Sequence, residues 1–345
     1  MDIVDTNKIS PVFITGTYRS GTTLLVRLLD NHPELSIWAD AVHFFRYCFK
    51  KYEPFSDYGN AFKLVSDVAG RLHNRFGMDV DADDIHGSID KNNITYASVY
   101  NAIYSSSFFL QGKKRWGEKT VLAWTSVEDF IEMFPLGKVV ILIRDPRAVL
   151  VSWKKETFAK KPLYLDAIFN CLGIMQHSGK LKNKLGNDRV IVLQFESLIK
   201  NTEHVLDELC DFLNVKYSGL LLDTSKFNDS KDDKHRTNLA FPERNKNDSG
   251  IKTGPINDWH NLIEKDELLI CNRIAADELD AFNYYDLRDE VGNDSWLKKV
   301  FDNMPEYLRQ NYLKWKNCGV GHEGYPLDPT KSENWDPKTC KNFVE

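Results

Sequence analysis

The tightest constraint on the fold is a short run near the start of the chain. Val12-Phe13-Ile14-Thr15 is apolar and β-branched, Gly16-Thr17-Tyr18-Arg19-Ser20-Gly21-Thr22-Thr23 follows as a loop bounded by glycines, and Leu24, Leu25, Leu28 and Leu29 then recur at helical spacing. Asn31-His32-Pro33 stops that helix. A buried strand that turns through glycines into a helix directs backbone N–H groups and the positive end of the helix dipole at the turn, which favours an anion there. The glycine spacing is that of a P-loop, but Thr22 stands where a nucleotide triphosphatase carries Lys. The charge sits instead inside the loop, on Arg19, with Ser20, Thr22 and Thr23 supplying hydroxyl donors. That donor set suits a phosphate bearing a second anionic group; the plainer alternative is a glycine turn whose threonines cap the helix.

The same theme returns twice. Val139 to Ile143 is a second apolar run, followed by Arg144-Asp145-Pro146, where Asp145 suits an N-cap and Pro146 the first helical position. Val190 to Leu193 leads through Phe195-Glu196 to a helix carrying Val205, Leu206, Leu209, Phe212 and Leu213 after a Thr202 cap. Such alternation predicts an α/β fold, a central parallel sheet in a three-layer sandwich with helical insertions. Arg144 would stand at the carboxyl end of the sheet, where open α/β folds bind ligands, with Ser152 two helical turns further on. Together they could hold a second phosphate, although Arg144 could equally pair with a carboxylate such as Asp145. Two anion sites at one sheet edge imply a ligand phosphorylated at both ends.

Composition narrows the partners. The 45 Lys and Arg against 50 Asp and Glu leave a net charge of −5, so general nucleic-acid binding is not expected, and any anionic ligand needs a local cluster of donors. Six scattered cysteines form no C-x-x-C pair and read as reduced, buried thiols. The apolar runs fall far short of the ~20 residues that span a bilayer, and Met1-Asp2-Ile3-Val4-Asp5 is acidic rather than signal-like. These features predict a cytoplasmic protein without a membrane partner. Residues 40–137 read as a mostly helical, aromatic-rich substrate region inserted in a main domain, 1–285. Asn228 to Asn238 lacks any apolar residue and reads as a mobile surface loop. Residues 286–345 read as an appended aromatic extension, expected to pack on the main domain or on a twin subunit in a homodimer.

Four segments carry a family resemblance. The loop Tyr18 to Leu25, the stretch Asn31-His32-Pro33-Glu34-Leu35, the segment Trp116-Gly117-Glu118-Lys119-Thr120, and Ile143-Arg144-Asp145-Pro146-Arg147 with Ser152 together resemble the sulfotransferases that use 3'-phosphoadenosine 5'-phosphosulfate (PAPS). The resemblance spans about residues 11 to 285. It implies that Arg19, Ser20, Gly21, Thr22 and Thr23 bind the 5'-phosphosulfate, that Arg144 and Ser152 bind the 3'-phosphate, and that adenosine 3',5'-bisphosphate (PAP) is the product. Phe195-Glu196 is similar to the family's Tyr-Glu pair, with the hydroxyl missing and only an apolar packing role left to Phe195. Lys252-Thr253-Gly254 followed by Trp259 is similar to the family's closing loop.

Sulfuryl transfer needs an in-line nucleophile, a base for its proton and cations beside the leaving phosphate oxygen, and no metal is expected. His43, Asp40 and Glu118 are candidate bases, with His43 favoured because imidazole can accept a proton near neutrality. Packing among aromatics is the competing account of His43. Lys119 could stabilise the leaving group, or be half of a Lys–Glu pair. The expected acceptor is a hydroxyl or amine of a small molecule or natural product, with an oligosaccharide or lipid headgroup next. Two other functions fit parts of the sequence: a divergent P-loop kinase or NTPase, and a catalytically inactive nucleotide-binding scaffold.

Overall fold

A computed structural model of the chain describes residues 5–156, 163–225, 251, 254–287, 291–318 and 328–335. Five parallel strands form one sheet: β1 (Val12–Gly16), β2 (Leu35–Ala39), β3 (Arg115–Lys119), β4 (Lys138–Ile143) and β5 (Val190–Gln194), in the order β2-β3-β1-β4-β5. β1, β2 and β4 are buried along their whole length, as expected for parallel strands covered on both faces. One face packs against the helices Thr22–Asp30 and Thr202–Leu213 through Leu25, Leu28, Leu29, Leu206 and Leu209. The other packs against a larger, aromatic-rich core built around Phe13, Phe44, Tyr100, Phe130 and Phe169. The result is the α/β layering that the strand–helix alternation predicts.

The apolar runs reveal β1, β4 and β5, and the structure adds β2 and β3. β3 comes from within the 40–137 stretch and hides behind a polar sequence, Arg115 to Lys119, in which Glu118 and Lys119 are buried at 0% and 1% exposure. Gly117 makes this strand possible: a Cβ there would lie 2.8 Å from the Val12 carbonyl oxygen of β1. Thr202 does not cap its helix through its side chain. Its hydroxyl donates to the Leu198 carbonyl at 2.8 Å, and Asn201 takes the N-cap position.

The described parts of the aromatic extension pack on the main body. Tyr312 and Trp315 of the helix Glu306–Cys318 meet Phe169 at ring separations of 5.4 and 6.0 Å, and Leu308 is fully buried. Further on, Trp335 lies against Gly70 of the helix Tyr58–Phe76 and donates from Nε1 to the Pro329 carbonyl at 2.9 Å. Cys48, Cys171, Cys210 and Cys271 are free and buried. None of the described helices is long and apolar enough to cross a membrane. Asn228 to Asn238 lies outside the described residues.

Candidate active site

In this strand order β1 is central: the chain leaves it towards β2 on one side, while β4 lies on its other side. The loops after β1 and β4 therefore open at the point where the topology switches direction, the place where open α/β sheets form a ligand crevice. The loop after β1 is tightly built. Arg19 and Gly21 adopt positive φ values of 65° and 92°, and Ser20, fully buried, donates from its hydroxyl to the Thr17 carbonyl at 2.8 Å. Gly21 is the N-cap of the helix Thr22–Asp30, and with no side chain it leaves the first-turn N–H groups without a side-chain cap. A Cβ on Gly21 would overlap the Phe195 ring.

Two donor sets that the sequence places at separate strand ends meet here. Arg19 donates from Nε to Ser152 Oγ at 3.1 Å, and Arg144 donates from Nη1 to the Arg19 carbonyl at 2.7 Å. The Arg144 guanidinium also stands 4.5 Å from the Phe195 ring centroid. Phe195 thus wedges between the glycine of the first loop and the arginine after β4. Thr22 is buried and Thr23 half-buried at the helix start.

Glu196, which carried no separate role in the sequence reading, holds this corner. Its carboxylate accepts from the Asp145 N–H at 3.1 Å and from the Tyr284 hydroxyl at 2.9 Å, and burial pushes its pKa up. Asp145 accepts from the Arg147 N–H at 2.9 Å, as an N-cap does, and also pairs with the Arg147 guanidinium at 2.7 Å. Arg147, not Arg144, is therefore the partner of Asp145 within ion-pair distance. The Arg147 side chain lies 4.5 Å from the Trp259 ring. Lys252 and Thr253 lie outside the described residues, and Gly254 begins the helix Gly254–Asn257.

A second cluster forms at the ends of β2 and β3. Asp40 and His43, both at positive φ, follow β2, and Asp40 forms an ion pair with Lys119 at the end of β3. His43 Nε2 lies 3.9 Å from Asp40 Oδ1. His43 is 5% exposed, its Nδ1 is buried without a hydrogen-bond partner, and burial together with the nearby Arg46, Arg75, Lys119 and Arg71 holds its pKa well below 6.5. Glu118 points elsewhere: it accepts from the Tyr100 hydroxyl and from the Phe44 N–H at 3.2 Å, and burial pushes its pKa up. That carboxylate fixes the turn after His43 to β3. Beside Lys119, the Thr120 hydroxyl is buried and has no hydrogen-bond partner.

Residues 11–219 match the model of the sulfotransferase family. The chain belongs to that family. Among curated relatives it is 28% identical over 148 residues to the nodulation protein NoeE of Sinorhizobium fredii (strain NBRC 101917 / NGR234), covering 41% of this chain and 30% of that protein. It is 29% identical over 144 residues to sulfotransferase 2A6 of Rattus norvegicus, covering 36% of this chain and 50% of that one. With the protein-tyrosine sulfotransferase of Drosophila melanogaster the figures are 22% over 227 residues, 63% of this chain and 40% of the relative. The matches thus span half or less of the length of these relatives. The sulfotransferase domain of the Synechococcus PCC 7002 olefin synthase shares the fold, with a TM-score of 0.53 at 19% identity over 83% of this chain and 100% of that one. The sulfotransferase domain from the curacin biosynthetic pathway does so with a TM-score of 0.52 at 20% identity, over 78% of this chain and 97% of that one.

Among the described residues no group of three or more His, Cys, Asp or Glu side chains could hold a metal ion. The first cluster sets Arg19 and Arg144 beside the Ser152 hydroxyl, and the second sets Lys119 beside Asp40 and the Thr120 hydroxyl.

Proposed function

We propose that this chain transfers the sulfuryl group of PAPS to a hydroxyl or amine of a small-molecule acceptor, releasing PAP. The observation that carries the reading is the junction of Arg19, Arg144 and Ser152, which brings the two anion-binding donor sets to one crevice. The residues fit such a donor. The uncapped helix start at Gly21, with Ser20, Thr22 and Thr23 around it, is a cradle for the 5'-phosphosulfate. Arg144 and Ser152 would take the 3'-phosphate, with Phe195 fixing the Arg144 plane from one side. Lys252, Thr253 and Gly254 remain candidates for the loop that closes over the nucleotide.

PAPS supplies an electrophilic sulfur and a phosphate leaving group. The acceptor oxygen or nitrogen forms a bond to sulfur while the bond from sulfur to the bridging phosphate oxygen breaks, and the acceptor's proton must go elsewhere. His43 is the base we assign. Held neutral by burial, its unpartnered Nδ1 can accept that proton, while Asp40 stands beside Nε2 to orient the ring and favour the imidazolium that forms. Lys119, tied to Asp40, would supply the cation that stabilises charge on the leaving phosphate oxygen. Glu118 positions this pair from behind, and Thr120 offers a spare hydroxyl.

The unit we propose runs through 1–285, with residues 40–137 shaping the acceptor side and 286–345 bracing it, acting in the cytoplasm. The names of the relatives include a protein-tyrosine sulfotransferase and a nodulation protein and do not converge on one acceptor. Thermal shift separates the reading from a kinase or NTPase: metal-independent stabilisation by PAP supports it, whereas stabilisation by ATP only with magnesium overturns it. Turnover of radiolabelled PAPS separates it from an inactive scaffold.

A further inference from the structure

Residues 328–335 of the C-terminal extension form a small clip with its own hydrogen bonds. The Asp328 carboxylate accepts from the Thr330 N–H at 3.0 Å and from the Thr330 hydroxyl at 2.7 Å, and the Asp328 carbonyl accepts from Asn334 Nδ2 at 2.8 Å. The short helix Ser332–Asn334 then turns Trp335 back, so that its indole Nε1 donates to the Pro329 carbonyl at 2.9 Å. This local closure fixes the indole and that carbonyl relative to each other. Both meet successive residues of the helix Tyr58–Phe76: the indole lies on Gly70, where a Cβ would overlap it, and the Pro329 carbonyl accepts from Arg71 Nη1 at 3.2 Å. Glycine weakens a helix interior relative to alanine, and the seat it leaves for the indole accounts for Gly70 here.

Arg71 carries the contact inward to His43. It is 4% exposed and fully engaged: Nη2 donates to Cys48 Sγ at 3.3 Å, Tyr52 and Asp67 stand beside it, and its guanidinium lies 5.4 Å from the Tyr47 ring centroid. The buried Tyr47 accepts at its hydroxyl oxygen from Arg75 Nη1 at 3.4 Å, and its ring meets the His43 imidazole edge-on at 5.4 Å between centroids. Pro329, Arg71, Tyr47 and His43 thus form one line of contacts from the clip to the candidate base. The other charged groups around His43 are Asp40 at 3.9 Å from Nε2, Lys119 paired to Asp40, Arg46 on its own short helix and Arg75; Glu118 faces the turn through the Phe44 N–H. An imidazole among cations stays neutral only while water is kept from it. Water would solvate the imidazolium and screen the cations, and both changes favour proton uptake.

We propose that the clip 328–335 is a positioning element of the candidate active site: seated on Gly70 and Arg71, it closes the Arg71–Tyr47–His43 stack from behind and keeps water from the imidazole. The proposal rests on the reading of His43 as the base and deepens it by giving the C-terminal extension a part in the chemistry. Its test needs neither sulfuryl donor nor acceptor.

The experiment reads His43 directly in the full chain. The imidazole Cε1–H resonance is followed by nuclear magnetic resonance from about pH 4.5 to 8.5, across the ordinary imidazole range, and is assigned as the one missing from His43→Gln. In the wild type its midpoint should lie well below 6.5. Trp335→Ala removes the indole, and Gly70→Ala fills its seat while favouring the helix. Each should raise the midpoint by about one pH unit or more, and should speed modification of His43 by diethylpyrocarbonate about fivefold or more, read by peptide mass spectrometry. Trp335→Phe should keep part of the wild-type behaviour. A midpoint and a modification rate that stay at wild-type values in both alanine variants overturn the proposal even if the melting temperature falls, because a clip that only stabilises the fold would change the melting temperature alone. A wild-type midpoint at 6.5 also overturns it. The sulfotransferase reading stands or falls separately, on whether PAP binds the wild-type chain and PAPS is turned over.

Discussion

The two ends of the crevice are built in opposite ways. At the proposed donor end, three short motifs touch directly: the loop of Arg19 and Gly21, the strand end with Arg144 and Ser152, and Phe195 between them. All of them fall within residues 11–219, the stretch that matches the family model. The proposed acceptor end is assembled from pieces far apart in the chain: Asp40 and His43, Arg71 and Arg75, Lys119, and Pro329 of the C-terminal extension. Its last contributor lies beyond the family match. A nucleotide with two fixed phosphates calls for one rigid cradle, which loop and helix-start geometry can encode locally. The second cluster depends instead on tertiary packing, and the tail reaches its neighbourhood through the Pro329 carbonyl, which accepts from Arg71.

The sharpest way to break this division is at the base. His43→Ala should lower turnover by about 10²- to 10⁴-fold while leaving PAP affinity nearly unchanged, since a general base acts on the acceptor's proton. Asp40→Asn should have a smaller effect, through the orientation of the imidazole. Because burial and neighbouring cations hold the His43 pKa well below 6.5, the imidazole stays neutral as pH falls past 6.5, and turnover should persist there. A dead Asp40 variant beside a near-normal His43 variant would move the base to Asp40 and make His43 a packing residue.

At the donor end the expected loss is in binding. Arg144→Ala removes a buried guanidinium placed for one phosphate, and Arg19→Ala the charge inside the other cradle. Each should weaken PAP binding by about 1.5 to 3 kcal/mol, roughly 10- to 150-fold, measured by calorimetry. Since Arg144 also supports the Arg19 carbonyl, the double variant should lose less than the sum of the two. Unchanged affinity in both single variants would remove the nucleotide from this crevice.

The same contrast governs what could be read from sequence. Strands β1, β4 and β5 announce themselves as apolar runs, and the donor loop is contiguous, so its chemistry follows from neighbours in the chain. β3 does not, because a central strand reading Arg115-Trp116-Gly117-Glu118-Lys119 is polar until its charges find Tyr100 and Asp40 in three dimensions. Glu118 is a candidate base by residue type, yet its carboxylate is engaged by Tyr100 and the Phe44 N–H. Arg71 and Arg75 gave no signal: on a helix with alternating polar and apolar residues they look like a solvated face. Only the observation that Arg71 is buried separates it from the exposed cations around it.

A subtler probe of the donor cradle is Gly21. Its φ of 92° disfavours any side chain, and the added methyl of Gly21→Ala would overlap the Phe195 ring. The substitution should cost about 1 to 3 kcal/mol of stability by denaturant unfolding. Adding Phe195→Ala relieves the overlap but not the backbone strain, so the two costs should combine less than additively. Simple additivity would mean that the loop and Phe195 are not in the contact on which the compact donor end depends.

The smallest expected effect tests how firmly the C-terminal extension braces the acceptor side. Asp166, on the helix Asp166–Leu185, is buried against the helix Glu306–Cys318, and burial pushes its pKa up to about 7, opposed in part by Asn311 and Lys314. The unfolded carboxyl titrates near its ordinary value of 3.8. Between the two values the unfolded chain has released a proton that the folded chain retains, so stability from this group is greatest below about 3.8 and declines as pH rises to about 7. Asp166→Asn removes the ionisation with little change in shape. Its melting temperature should therefore exceed the wild type's by a few degrees at pH 8, with the gain shrinking towards zero at pH 4. An equal gain at both pH values would trace the effect to packing instead. A gain at pH 8 that persists after the chain is truncated at Tyr285 would show that the tail helix is not what buries this carboxyl, and the acceptor end would then have to be stable without its brace.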